Sequence, residues 1–121
     1  MITMRRTSLA LAMVLVLLVA GSALAGTATG SGYQRRGAPG RNAELTSTPL
    51  IVPAGVTATI TDVTCDGDGF WIEGPVSASF STGAEAIGFR LPSGTYRFYP
   101  NLKEGQFPQQ KAMVSVTATW P

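Results

Sequence analysis

The chain has 121 residues, with nine basic and seven acidic side chains and a formal net charge of +2. A length of this order fits one domain. It contains no histidine, which removes the commonest general base, the Ser-His and Cys-His nucleophile pairs, and the usual zinc, copper and non-haem iron sites. Carboxylate-pair hydrolysis needs a deep cleft that so small a domain hardly builds, so no enzyme and no cofactor are expected.

Residues 1–25 have the three parts of a cleavable export signal. Arg5 and Arg6 form a positive start, an unbroken apolar run spans Leu9 to Ala20, and Ala23-Leu24-Ala25 offers the small-x-small pattern before Gly26. The apolar run is shorter than the roughly 20 residues of a membrane span. Cleavage is therefore expected after Ala25, leaving no membrane anchor and placing the protein in a periplasm or outside the cell. Arg5 and Arg6 would leave with the leader, so seven basic residues face seven acidic ones in what remains. The basic character of the precursor then makes no case for a nucleic-acid partner, which needs a basic face.

Residues 26–48 are rich in Gly, Ser, Thr and Arg, and Tyr33 and Leu45 are their only large apolar or aromatic side chains. This composition predicts a flexible tail. From Leu50 onward the pattern changes to period two, the mark of half-buried strands. Leu50–Val52 and Phe70–Ile72 read as short strands. Val56, Ala58 and Ile60 alternate with threonines. Val76, Ala78 and Phe80 alternate with serines, and Ile87, Phe89 and Leu91 with Gly88 and Arg90. Tyr96 and Phe98 alternate with Thr95, Arg97 and Tyr99, and Val114, Val116, Ala118 and Trp120 with Ser115, Thr117 and Thr119. Turn chemistry separates these runs at Pro53–Gly55, Asp66–Gly69, Glu73–Pro75, Ser81–Gly83 and Pro92–Gly94.

The sum is an all-β domain over residues 49–121. About seven short strands are expected in a small antiparallel β-sandwich, immunoglobulin-like or jelly-roll-like. Asp66-Gly-Asp-Gly69 opens like a calcium loop, but Phe70 and Trp71 occupy positions that such a loop gives to a ligand and a glycine, so a hairpin turn is expected.

Three aromatic residues are candidate ligand contacts. Trp71 and Tyr99 qualify, Tyr99 being phased onto the polar face of its strand, and Phe107 stands alone between polar neighbours in the irregular segment 100–111. They suit a glycan, whose rings stack on exposed aromatic faces. Cys65 is the only cysteine. It is expected either as a buried thiol or as the link of an intermolecular disulfide.

Residues 49–121 lie near the limit of about 70–80 residues below which one core seldom suffices, and a sandwich has edges to cover. The leading expectation is thus a non-enzymatic structural or interaction module that packs against a protein partner or its own copies. The alternative is a monomeric module that binds a carbohydrate or another ligand.

Overall fold

The computed structural model describes residues 25–37, 44–103 and 110–121. The leader expected over residues 1–25 lies outside them except for Ala25, and Phe107 lies outside them too. The chain is all-β, with strands β1 (Gly26–Arg35), β2 (Glu44–Thr48), β3 (Leu50–Cys65), β4 (Phe70–Glu73), β5 (Ala78–Phe80), β6 (Arg90–Pro100) and β7 (Lys111–Trp120). A single helical turn, α1 (Gly83–Ala86), precedes β6, with the Thr82 side chain accepting from the Glu85 N–H. The seven strands of the described residues form one antiparallel sheet in the order β2-β1-β7-β3-β6-β4-β5, and the sheet curls.

Alternation along the strands sorts the side chains. Val56, Ala58 and Ile60 of β3, Val114, Val116 and Ala118 of β7, and Leu91, Tyr96 and Phe98 of β6 are buried, as are Phe70 and Ile72 of β4. Phe98, Phe70, Phe80 and Phe89 follow one another through the core, with neighbouring ring centroids 6.4, 5.4 and 5.3 Å apart. Aromatic rings bury more area than aliphatic side chains, so this file of rings anchors β4, β5 and β6 to one another.

The structure corrects the expected tail. Residues 26–35 are a central strand, paired with β7 from Gly26↔Trp120 to Arg35↔Lys111 and with β2 from Ser31↔Thr48 to Arg35↔Glu44. The inward positions of β1 are Gly26, Ala28, Gly30 and Gly32. A side chain at Gly30 would meet Leu50 and the Phe98 ring, and one at Gly32 would overlap the Phe98 carbonyl. Glycine lets β1 lie directly on β6, which is how the sheet curls tightly enough to close over its core. The outward positions Thr27, Thr29 and Ser31 carry hydroxyls, and two of these bond across to β7. Thr27 donates to the Ala118 carbonyl (3.3 Å), and the Thr29 and Thr117 hydroxyls bond each other (3.2 Å).

Residues 44–48 are likewise a strand, β2, and the chain continues through Pro49 into β3. Leu50↔Tyr96 opens the pairing of β3 with β6, and Ser47 lies where that register extends to meet Tyr99. Arg97 Nη1 donates to the Ser47 carbonyl (3.2 Å) and hydroxyl (2.8 Å), and the Ser47 hydroxyl donates to the Tyr99 hydroxyl (3.3 Å). Strand β2 therefore touches β6 as well as β1, and side chains draw the curl together.

A second correction concerns Pro92–Gly94, expected as a turn between two strands. Strand β6 runs unbroken from Arg90 to Pro100, and the expected strand over 87–91 begins only at Arg90. Opposite it, residues 53–56 bulge out between the pairs Val52↔Gly94 and Thr57↔Pro92. Gly55 (φ +83°) and Gly94 (φ +144°) supply the backbone conformations this irregularity needs. The same Pro and Gly signals that mark a hairpin can mark a bulge within a ladder.

Asp66–Gly69 is a bend rather than the hairpin turn expected, because it joins β3 to β4, which are not neighbours in the sheet. The Asp66 carboxylate accepts from the Met113 N–H at 2.7 Å, and the Asp68 N–H donates to the Asn101 carbonyl at 3.0 Å. Both interactions clamp the connection to β7 and to the end of β6. No group of three or more Cys, Asp or Glu residues fit to hold a metal occurs among the described residues.

Candidate functional site

Strand β4 reads Phe-Trp-Ile-Glu, and its pleat sends Phe70 and Ile72 into the core and Trp71 and Glu73 outward. Strand β6 buries Tyr96 and Phe98 and turns Arg97 and Tyr99 outward. Antiparallel pairing then sets Trp71 opposite Tyr99 and Glu73 opposite Arg97. Two of the three candidate aromatics, distant in sequence, so become immediate neighbours. Their ring centroids are 5.3 Å apart and the planes differ by 33°, within the range of offset aromatic pairs.

Polar bonds fix both rings. The Trp71 indole N–H donates to Glu73 Oε2 at 2.9 Å, and the Tyr99 hydroxyl accepts from Ser47, itself held by Arg97. Beneath them, the buried Phe70, Ile72 and Phe98 hold the two strands to the core. On the far side of Trp71 stands Ser79 of β5, its partner in the ladder. The outer face thus carries a row, Ser79–Trp71–Tyr99–Ser47, running across the strands, and the exposed pair Glu73 and Arg97 lies one step along them. Both rings are half-buried, each with its remaining surface toward solvent.

Sequence reasoning named the two rings but omitted Glu73, Arg97, Ser47 and Ser79. The signal for Glu73 and Arg97 was available, since each stands two residues from its ring and so shares its face. Ser47 and Ser79 depend on register and could not be read locally.

No family model, curated protein or solved structure matches the chain. The arrangement must therefore be interpreted from its own chemistry. With centroids 5.3 Å apart the two rings lie partly against each other, so each offers a ligand its edge and the part of its face that the other leaves uncovered. Glu73 accepts hydrogen bonds, Arg97 donates them, and the Ser79 hydroxyl can do both, while the Ser47 hydroxyl is engaged by Tyr99 and Arg97. This combination suits a ring with one weakly apolar C–H face and a rim of hydroxyls.

Cys65 sits half-buried at the end of β3, away from this face. Its thiol donates to the Gly69 carbonyl at 3.4 Å, and burial raises its pKa above the ordinary thiol value, with the Asp66 and Asp68 carboxylates adding to the rise.

A second surface feature is a hollow of about 370 Å³ on the outer face of β1, β7 and β3, lined by Ser31, Thr64, Asp66, Met113, Val114 and Ser115. Met113, one of its lining residues, is 57 % exposed. No helix among the described residues is long and apolar enough to cross a membrane.

Proposed function

We propose that this chain is an exported, non-enzymatic ligand-binding module, acting in a periplasm or outside the cell without a membrane anchor, with a carbohydrate as its ligand. The observation that carries the proposal is the adjacent Trp71–Tyr99 pair, its hydrogen-bonding side chains arranged around two locked rings. In this reading the two halves of the curled sheet serve as the leaves of a small sandwich, and the leaf made of β4, β5 and β6 presents the Trp71–Tyr99 pair.

The assembly reading loses one of its supports. With β1 and β2 built into the sheet, the folded body is larger than residues 49–121, so the argument from a marginal core weakens. The edges also favour it poorly, since β5 has three residues and β2 has five, with the Ser47 carbonyl already engaged by Arg97. Its remaining support is the exposure of Met113 and of Ile51, 57 % and 59 %, which suits a modest face-to-face contact between copies.

Affinity electrophoresis against immobilised polysaccharides, together with light scattering on the secreted protein, separates the two. The expected result is a monomer retarded by at least one glycan, with Trp71→Ala weakening retention by about 2 kcal/mol, or ~30-fold. Met113→Ala should leave retention unchanged. A dimer that no glycan retards would overturn the ligand-binding reading in favour of assembly, and its dissociation by reductant would assign Cys65 as the link.

A further inference from the structure

We propose that the fold closes over its own leader cleavage site, so that the bond between Ala25 and Gly26 is cut readily only before β1 docks onto β7. This order of events, cleavage first and folding second, rests on the export reading.

Ala23-Leu24-Ala25 supplies the small side chains that a signal peptidase reads, and the next residue, Gly26, is already the first of β1. No spacer separates the site from the sheet. Gly26 pairs with Trp120 and Thr27 with Thr119, and the Thr27 hydroxyl donates to the Ala118 carbonyl at 3.3 Å. Proteases cut chain that is exposed and free of partners, because the cleft must surround the bond being cut. Here a neighbouring strand runs about 4.8 Å away, which leaves no room for an enzyme wall on that side. The inward side of Gly26 is closed as well. A Cβ at this position would overlap the Trp120 indole, so the ring rests against the Gly26 backbone. The peptidase pattern ends at Ala25, and glycine at position 26 answers to the sheet.

Chain order keeps the bond open during export. Strand β1 comes first and β7 is the last of the described strands. Until β7 arrives, β1 has only β2, which pairs with Ser31 to Arg35 and leaves Gly26 to Gly30 without that partner. An isolated hairpin of this kind is marginal in water, so the segment around the bond stays accessible. It closes when β7 completes the sheet. A chain that folded with its leader attached would retain the apolar run Leu9 to Ala20, and with it a hold on the membrane.

Purified signal peptidase acting on two full-length precursors in detergent tests this. One has the natural sequence, and the other carries a six-residue Gly-Ser spacer between Ala25 and Gly26. With both folded, as circular dichroism reports, the spacer form should be cut at least about tenfold faster, because cutting of a ladder-bound segment follows the small population that opens. Trp120→Ala should quicken cutting of the natural precursor severalfold and leave the rate of the spacer form unchanged. Unfolding in urea should bring the two precursors to the same rate. Equal rates for the two folded precursors would overturn the proposed order and leave the export reading standing. Resistance of both precursors, folded and unfolded, would overturn both.

Discussion

Replacing Gly32 by alanine is expected to cost about 3–5 kcal/mol, enough to unfold much of the population of a domain whose total stability is of that order. The reason is spatial. The added Cβ would overlap the Phe98 carbonyl oxygen and press on its carbonyl carbon, both backbone atoms of β6 that no change of rotamer can move. Strand β1 would have to lift away from β6, uncovering Leu50 and Phe98, which are fully buried in the core. Gly55→Ala is the matched comparison. It also sits at a special position, φ +83°, but has nothing within 4 Å of the added carbon, so only the backbone conformation is penalised, by about 1–2 kcal/mol. Urea unfolding of the two variants measures the contrast. Equal midpoints would mean that β1 does not pack on β6 as described.

Truncating the chain to residues 49–121, the domain that hydrophobic patterning alone delineates, should abolish cooperative folding. The deletion removes β1 and β2 together. Strand β7 then loses the pairing that runs from Gly26↔Trp120 to Arg35↔Lys111 and becomes an open edge flanking the core. Leu50 and Phe98 lose the cover of Gly30 and Gly32, and Tyr99 and Arg97 lose Ser47. Each lost ladder bond contributes about 1 kcal/mol net, so the sum alone approaches the whole stability of a small domain before any apolar exposure is added. Thermal unfolding followed by circular dichroism distinguishes the cases. A sigmoidal melt is expected for residues 26–121 and a shallow, featureless slope for residues 49–121. A cooperative transition in the shorter chain would show β1 and β2 to be dispensable.

The reason β1 escaped recognition is instructive. Its period of two is intact, Gly-Thr-Ala-Thr-Gly-Ser-Gly-Tyr, but the inward partners are glycine and alanine where other strands have valine or phenylalanine. Composition reads such a stretch as linker because glycine contributes no apolar area, although the closeness of β1 to β6 is what demands glycine there. The strands with large inward residues were legible from alternation alone. Val56–Ile60, Tyr96–Phe98 and Val114–Ala118 are buried at the expected positions. Ile87, expected to face inward, is 49 % exposed because it caps the C-terminus of α1, and pairing with β3 begins only at Gly88 and Phe89, which bond to Ile60.

For the candidate site, local sequence identified the ingredients and the fold supplied their meeting. The phase of Tyr99 on its strand was readable, since Tyr96 and Phe98 mark the buried face. That Trp71 stands opposite it depends on the pairing of β4 with β6, although β5, α1 and the start of β6 intervene in the chain. No local rule specifies that pairing, because β4 has only four residues and several strands could have taken its place.

The most direct test of binding at the Trp71–Tyr99 pair is the side-chain indole region of an ¹⁵N–¹H correlation spectrum, recorded as oligosaccharides are added. The chain has two tryptophans, so two indole signals report on two places. Trp71 sits in the proposed site with its N–H on Glu73, and Trp120 closes the end of β7 over Gly26. The account predicts a saturable shift of the Trp71 signal with the Trp120 signal unmoved, and loss of the effect in Tyr99→Ala. A shift confined to Trp120, or a binding isotherm that leaves both indoles where they were, would contradict it.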